Sequence, residues 1–356
     1  MAMMIDTKIL SISRDIPLDE QLCEAAAIIR AGGLVAFPTE TVYGLGADAT
    51  NSDAAMKIYA AKGRPSDNPL IIHISEPTEA EKYTFTCETY YRLAEAFMPG
   101  PLTVILPARE NVPRTTRGGL DTVAVRCPEN DIASTLIRLS GVPIAAPSAN
   151  RSGSPSPTTA SHVIDDMMGR VDMIIDGGDC DFGLESTIVS IDAGGSLTLL
   201  RPGKITVADI SALGISVSIA DAVKDKLRDG EVALSPGMKY RHYAPGCEVL
   251  LLDSEKDAAV EYISSYVKEN ETDRYAVIAY SEDIGFYREA LFDAHVYDFG
   301  KRNDEIAQAH SLFDILRRAD KENYSVIFAP LPRAEGIGLA LYNRMIRAAA
   351  HKIIRL

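Results

Sequence analysis

Apolar runs recur along this chain in two different rhythms, and the change between them limits what it can fold into. In the first part, strand-like runs fall at 34–37, 70–74, 102–108, 122–127, 143–146, 171–176, 187–191 and 197–200. Helical spacing separates some of these runs and not others. It is clear over 20–31, stopped by Gly32-Gly33, and over 52–62, with Asn51 or Ser52 as cap and Gly63 just past the end. An irregular order of this kind predicts an α/β domain with a mixed sheet. After Pro245 the rhythm is regular. Strands at 248–252, 275–280, 295–299 and 325–329 alternate with helical spacing near 255–269, 285–291, 303–319 and 338–354. That alternation predicts a small doubly wound unit on a parallel sheet.

Residues 206–246 fit neither rhythm. A short helix is expected over 206–213, and 235–245 has the proline and glycine punctuation of an extended linker. This linker carries Lys239, Tyr240, Arg241, His242 and Tyr243, which a mere spacer does not need. The expected division is a catalytic domain at 1–205, a linker at 206–246 and an accessory domain at 247–356.

The net charge of −14 is spread over both parts: 17 lysines and arginines stand against 26 acids in 1–205, and 19 against 24 in the rest. Bulk electrostatics therefore repel a polyanion, and tight non-specific nucleic-acid binding would need a local basic patch. Five cysteines without a C-x-x-C pair argue against structural disulfides and a structural zinc. The N-terminal residues lack a signal-peptide pattern, and no apolar run approaches the roughly 20 residues that span a bilayer. A cytoplasmic protein without membrane contact is expected.

Against this acidic background, Lys62 and Arg64 stand just before the strand at 70–74, with Asn68-Pro69 fixing an extended entry and His73 on the strand itself. Polyphosphate recognition uses a lysine point charge and a planar guanidinium. An isolated Lys-Gly-Arg also fits a helix C-terminus followed by a surface arginine. Ser148-Ala149-Asn150 follows another apolar run, where α/β sheets place ligands or where Ser and Asn satisfy their own turn. Arg126 lies inside a strand, so it pairs either with a structural acid or with a substrate carboxylate. Glu185-Ser186-Thr187 and Arg201-Pro202-Gly203 are further polar groups at strand ends. Gly44-x-Gly46-x-x-Ala49 only loosely matches a dinucleotide fingerprint, since six residues separate Gly44 from the preceding strand. No P-loop, H-E-x-x-H or G-x-S-x-G occurs, so the chemistry needs no protein nucleophile.

Thr39-x-Thr41-x-Tyr43-Gly44, Lys62-x-Arg64 with Asn68-Pro69-Leu70 and His73, Pro99-Gly100-Pro101-Leu102-Thr103, Arg126-x-Pro128 and Ser148-Ala149-Asn150 occur in this order. In this the chain resembles the threonylcarbamoyl-AMP synthases, in the long two-domain form of the YrdC-like family. The resemblance spans nearly the whole chain, with 235–245 similar to the long form's linker and the rest to its Rossmann-like accessory domain. It implies formation of threonylcarbamoyl-AMP and pyrophosphate from L-threonine, bicarbonate and ATP, the first step of tRNA threonylcarbamoyladenosine modification. It also implies that Lys62 and Arg64 act in catalysis and that ATP meets Lys62, Arg64, Asn68, Thr122, Ser148, Asn150, Ser156, Arg201 and Tyr243. Threonine would meet Thr41, His73, Arg126, Ala146 and Ser186. Mg²⁺ would come with ATP, without a protein metal site. The product would pass to a tRNA threonylcarbamoyl transferase complex, with weak tRNA contact as a further expectation. An RNA-binding module and a carbamoyltransferase are the alternatives.

Overall fold

The computed structural model describes residues 5–225, 242–272 and 274–356, which divide into two units. Among the described residues, the first takes in 5–152 and 156–225, and the second 153–155, 242–272 and 274–356.

The first unit begins with β1 (Lys8–Ser11), α1 (Leu18–Arg30), β2 (Val35–Phe37), β3 (Gly44–Asp48), α2 (Ser52–Lys62) and β4 (Ile71–His73). It continues with α3 (Glu88–Phe97), β5 (Leu102–Pro107), β6 (Thr122–Arg126), α4 (Asp131–Ser140), β7 (Ile144–Ala145) and α5 (Ala160–Met167). β8 (Met173–Asp176), β9 (Thr187–Ile191), β10 (Leu197–Arg201), α6 (Val207–Ser211) and β11 (Val217–Ile219) complete it. The strand order is β1-β8-β2-β3-β7-β4-β6-β5-β9-β10-β11. Parallel pairs such as β4 with β6 adjoin antiparallel ones such as β5 with β6, so the sheet is mixed, as the irregular rhythm predicted.

Local chemistry explains the elements that frame the site. α1 presents Leu22, Ala25, Ala26 and Ile29 at helical spacing, and these pack with Val35 and Phe37 of β2 and with Leu136 and Ile137 of α4. Asn51 caps α2 by accepting from the backbone N–H groups of Asp53 and Ala54. Gly63 ends α2 in the left-handed region, at φ 63°. β3 was not expected, because its glycines read as a loop. A Cβ at Gly46 would stand 2.7 Å from Ile144 and from Phe37, so glycine here serves close packing between neighbouring strands. Residues 206–225 carry more than a helix: Thr206 and Asp209 form a capping box for α6, and β11 then pairs parallel with β10.

The second unit holds β12 (Glu248–Asp253), α7 (Lys256–Glu269), β13 (Tyr275–Ala279), α8 (Ile284–Ala290), β14 (His295–Asp298), α9 (Glu305–Lys321), β15 (Val326–Pro330), α10 (Gly338–Ala348) and β16 (Ile353–Arg355). All its strand pairs are parallel, in the order β14-β13-β15-β12-β16. Tyr275, Val277 and Phe328 of the strands pack against Ala259 and Ile263 of α7. The expected helix over 338–354 ends earlier. Ala350 and His351 take positive φ of 49° and 64°, which breaks the helix and turns the chain into β16 beside β12.

Candidate functional site

The conspicuous feature of the first unit is a buried polar cluster in the middle of its sheet. Arg126 ends β6, and its register partners are His73 on β4 and Thr103 on β5. All three side chains are buried. Thr103 Oγ1 lies 2.7 Å from Ser186 Oγ, just before β9. Arg201, at the end of β10, donates from Nε to the Ser186 carbonyl and from Nη2 to its hydroxyl, both at 3.0 Å. Four strands thus deliver His73, Arg126, Thr103 and Arg201, and the loop before β9 adds Ser186.

The acid that faces Arg126 is Glu40, in the loop between β2 and β3. Nη2 approaches Oε2 to 2.7 Å, and both side chains are buried. Distance alone makes this an ion pair, yet neither Nε nor Nη2 of Arg126, and neither carboxylate oxygen of Glu40, has a partner at hydrogen-bond angles. The charges are matched while the directional capacity of the guanidinium is unspent. Such buried, unfilled donors are rare and costly, which favours an additional acceptor in the site.

His73 is neutral. Burial, reinforced by the Arg126 charge, pushes its pKa from 6.5 down to about 3. Its Nδ1 lies 3.3 Å from the Ile144 carbonyl. Thr41 is buried in the same loop as Glu40, 2.9 Å from Thr39 through their hydroxyls. The backbones of Glu40 and Thr41 accept from Phe182 and Gly183, which anchors this loop. Ala146 is buried, its N–H bonded to the Ile71 carbonyl.

A second cluster surrounds the C-terminus of α2. Lys62 Nζ donates to the carbonyls of Ser148 and Asn150 and reaches Asn150 Oδ1 at 3.3 Å. Ser148 in turn donates to Asn150 Oδ1. The two motifs that are 86 residues apart in sequence are therefore in contact. Arg64 donates to the Asn68 and Pro69 carbonyls, the latter at 3.0 Å, and so shapes the entry to β4. Asn68 is buried with an unpartnered Oδ1.

The remaining expected residues lie elsewhere in detail. Thr122 opens β6, at the other end of the strand from Arg126. Ser156 bonds to the buried Glu185. Tyr243 belongs to the second unit, where it stacks on Phe313 with ring centroids 5.4 Å apart. Lys239, Tyr240 and Arg241 lie outside the described residues. Sequence reasoning named Glu185 only as a polar group at a strand end and Thr103 only within a motif, and it did not single out Glu40. The signal for Glu40 was available, because a strand-interior arginine demands a buried partner, but nothing in the spacing chose among the acids. Among the described residues, no three carboxylate, imidazole or thiol groups gather as metal ligands, and no helix is long and apolar enough to cross a membrane.

Comparison with known proteins accounts for both units. Residues 27–203 match the family model described as "Telomere recombination" (Sua5, YciO, YrdC), and residues 205–350 match "Threonylcarbamoyl-AMP synthase, C-terminal domain". The threonylcarbamoyl-AMP synthase of Pyrococcus abyssi is 44% identical over 333 residues, covering 93% of this chain and 94% of that protein. The chain belongs to the threonylcarbamoyl-AMP synthase family. The Bacillus subtilis synthase is 43% identical, over 95% of each chain. The crystal structure of P. abyssi Sua5 complexed with L-threonine superposes with a TM-score of 0.89 at 42% identity, covering 98% of this chain and all of that one. The two-domain α/β architecture is therefore that of the threonylcarbamoyl-AMP synthases.

Proposed function

We propose that this protein condenses L-threonine, bicarbonate and ATP to L-threonylcarbamoyl-AMP and pyrophosphate. The observation that carries the residue assignment is Arg126, buried beside Glu40 with guanidinium donors unfilled. A carboxylate ligand matches that deficit, because the planar fork can donate to two oxygens at once. The P. abyssi relative is described in complex with L-threonine, which supports threonine as that ligand. Thr41, His73, Ala146 and Ser186 complete the proposed amino-acid site. Neutral His73 adds no second cation and can donate or accept one hydrogen bond.

ATP is proposed to lie toward α2 of the first unit, with Lys62, Arg64, Asn68, Thr122, Ser148, Asn150, Ser156 and Arg201 as its contacts. The threonine carbamate is itself the nucleophile, so the protein acts by holding its carboxylate in line with the α-phosphorus. The P–O bond to pyrophosphate breaks as the bond to the carbamate oxygen forms. Lys62 and Arg64 place positive charge where the phosphate oxygens gain negative charge. Mg²⁺ is proposed to arrive on the ATP phosphates as part of the substrate, an ion that keeps most of its water ligands when it binds nucleotides. The product would be consumed in the cytoplasm by an enzyme complex that transfers the threonylcarbamoyl group to tRNA, with weak direct tRNA contact as a further element of the proposal. The test is pyrophosphate release with threonine and bicarbonate omitted in turn. Both should be required, and equal release without threonine contradicts the assignment.

A further inference from the structure

The second unit has a cavity of its own, of about 460 Å³, at the carboxyl ends of its parallel strands. Ser254 follows β12, Tyr280 follows β13, and Arg333 follows β15, while Arg302 comes from the loop after β14. A smaller cavity of about 140 Å³ is lined by the same four residues. The topology explains why an opening exists there. From β13 the chain winds outward to β14, whereas from β15 it winds the other way to β16. Connections that diverge from adjacent strands leave a crevice between them, the usual ligand position of a doubly wound sheet.

The lining favours an anion within an acidic chain. Asp283 binds Arg302 and stands 3.7 Å from Lys256, and the Arg302 guanidinium lies 4.4 Å over the Tyr280 ring. Arg302 is thus fixed from two sides before any ligand arrives. Arg333 is exposed and makes no ion pair among the described residues. Ser254 has a solvent-shielded Oγ without a hydrogen-bond partner. After Glu255, at the N-cap position, begins the 14-residue helix α7, whose N-terminus has no side-chain cap, so its first N–H groups are not spent on one. Glu255 and Asp283 bring opposing charge, and Asp283 is already engaged by Arg302.

We propose that this crevice is a second anion site, for a small phosphate ester up to the size of a mononucleotide. The phosphate is taken by Ser254, the start of α7, Arg302 and Arg333. The cavity volume lies in the range of small-ligand sites, and the cations and the unfilled hydroxyl sit on its walls. The site is separate from the adenylation residues of the first unit and does not depend on their assignment.

Hydrogen exchange of the full chain, with AMP, ribose 5-phosphate or pyrophosphate at millimolar concentration, tests it. Protection is expected at 253–257 and around 302. Arg333→Glu should weaken that protection about tenfold or more, the worth of one charge-assisted hydrogen bond. The same variant should keep pyrophosphate release at the wild-type rate, which reports that it is folded. Protection by AMP alone assigns the site to nucleotides, and protection by all three probes assigns it to the phosphate group. No protection in the second unit with any probe, or protection that Arg333→Glu leaves unchanged, overturns the proposal.

Discussion

At Arg126, stability and substrate affinity can be separated. Arg126→Ala is expected to raise the threonine KM far more than the ATP KM. It should also lower stability by about 3–5 kcal/mol, because Glu40 is left buried without its counter-charge. Adding Glu40→Gln should restore much of the stability and none of the threonine affinity. Equal shifts of both KM values would remove Arg126 from the amino-acid site. His73 gives a pH signature. Its folded pKa of about 3 lies below the ordinary 6.5, so the unfolded chain takes up the proton first. Stability from this group is complete above pH 6.5 and declines as pH falls toward 3, by up to about 1.4 kcal/mol per pH unit. His73→Gln should flatten the stability profile between pH 7 and 5, measured by denaturant midpoints. An unchanged slope in that variant contradicts a neutral buried imidazole. The sequence singled out Arg126, His73 and the contact partners Lys62, Ser148 and Asn150. It left Glu40 hidden and gave Thr103 no place beside Arg126, because a partner across the sheet is set by strand order, which local spacing does not encode.

Among the elements, α2 holds the cationic end of the site. Gly63 and Gly141 end α2 and α4 alike, at φ 63° and 67°, and a Cβ at either meets no neighbour. Alanine should therefore strain each by a similar amount, roughly 1–2 kcal/mol. Only Gly63→Ala should also reduce pyrophosphate release, since Gly63 lies between Lys62 and Arg64. Parallel thermal melts and activity assays compare the two, and equal activities would detach the end of α2 from the chemistry. Arg64→Ala should slow turnover by roughly 30- to 1,000-fold, and Arg64→Lys should recover only part of it. Helix α2 was legible from its cap and its terminal glycine. Strand β3 was not, since Gly44 and Gly46 carry a turn signature that tertiary packing overrides.

At the scale of the whole chain, the two rhythms of the sequence became a mixed sheet and a parallel one. The sequence reading expects residues 235–245 to be more than a spacer, and 235–241 lie outside the described residues. A chain ending at 225 keeps all eleven strands of the first sheet and should fold. If the linker covers the reacting carbamate, this shortened protein should release pyrophosphate poorly or lose its intermediate to hydrolysis. Full and well-coupled activity would leave the linker no part in catalysis. The order of the first sheet also bears on how the chain acquires its shape. β2 lies between β8 and β3, so it waits for residues almost 140 positions later before one of its edges is paired. Ser186 and Arg201 come from the last third of that unit, while Glu40 comes from near its start. On the ribosome, this domain therefore cannot mature in halves. Its early strands β1, β2 and β5 keep open edges until β8 and β9 are made, as far as residue 191, a slow, non-local assembly with a standing demand for protection against self-association.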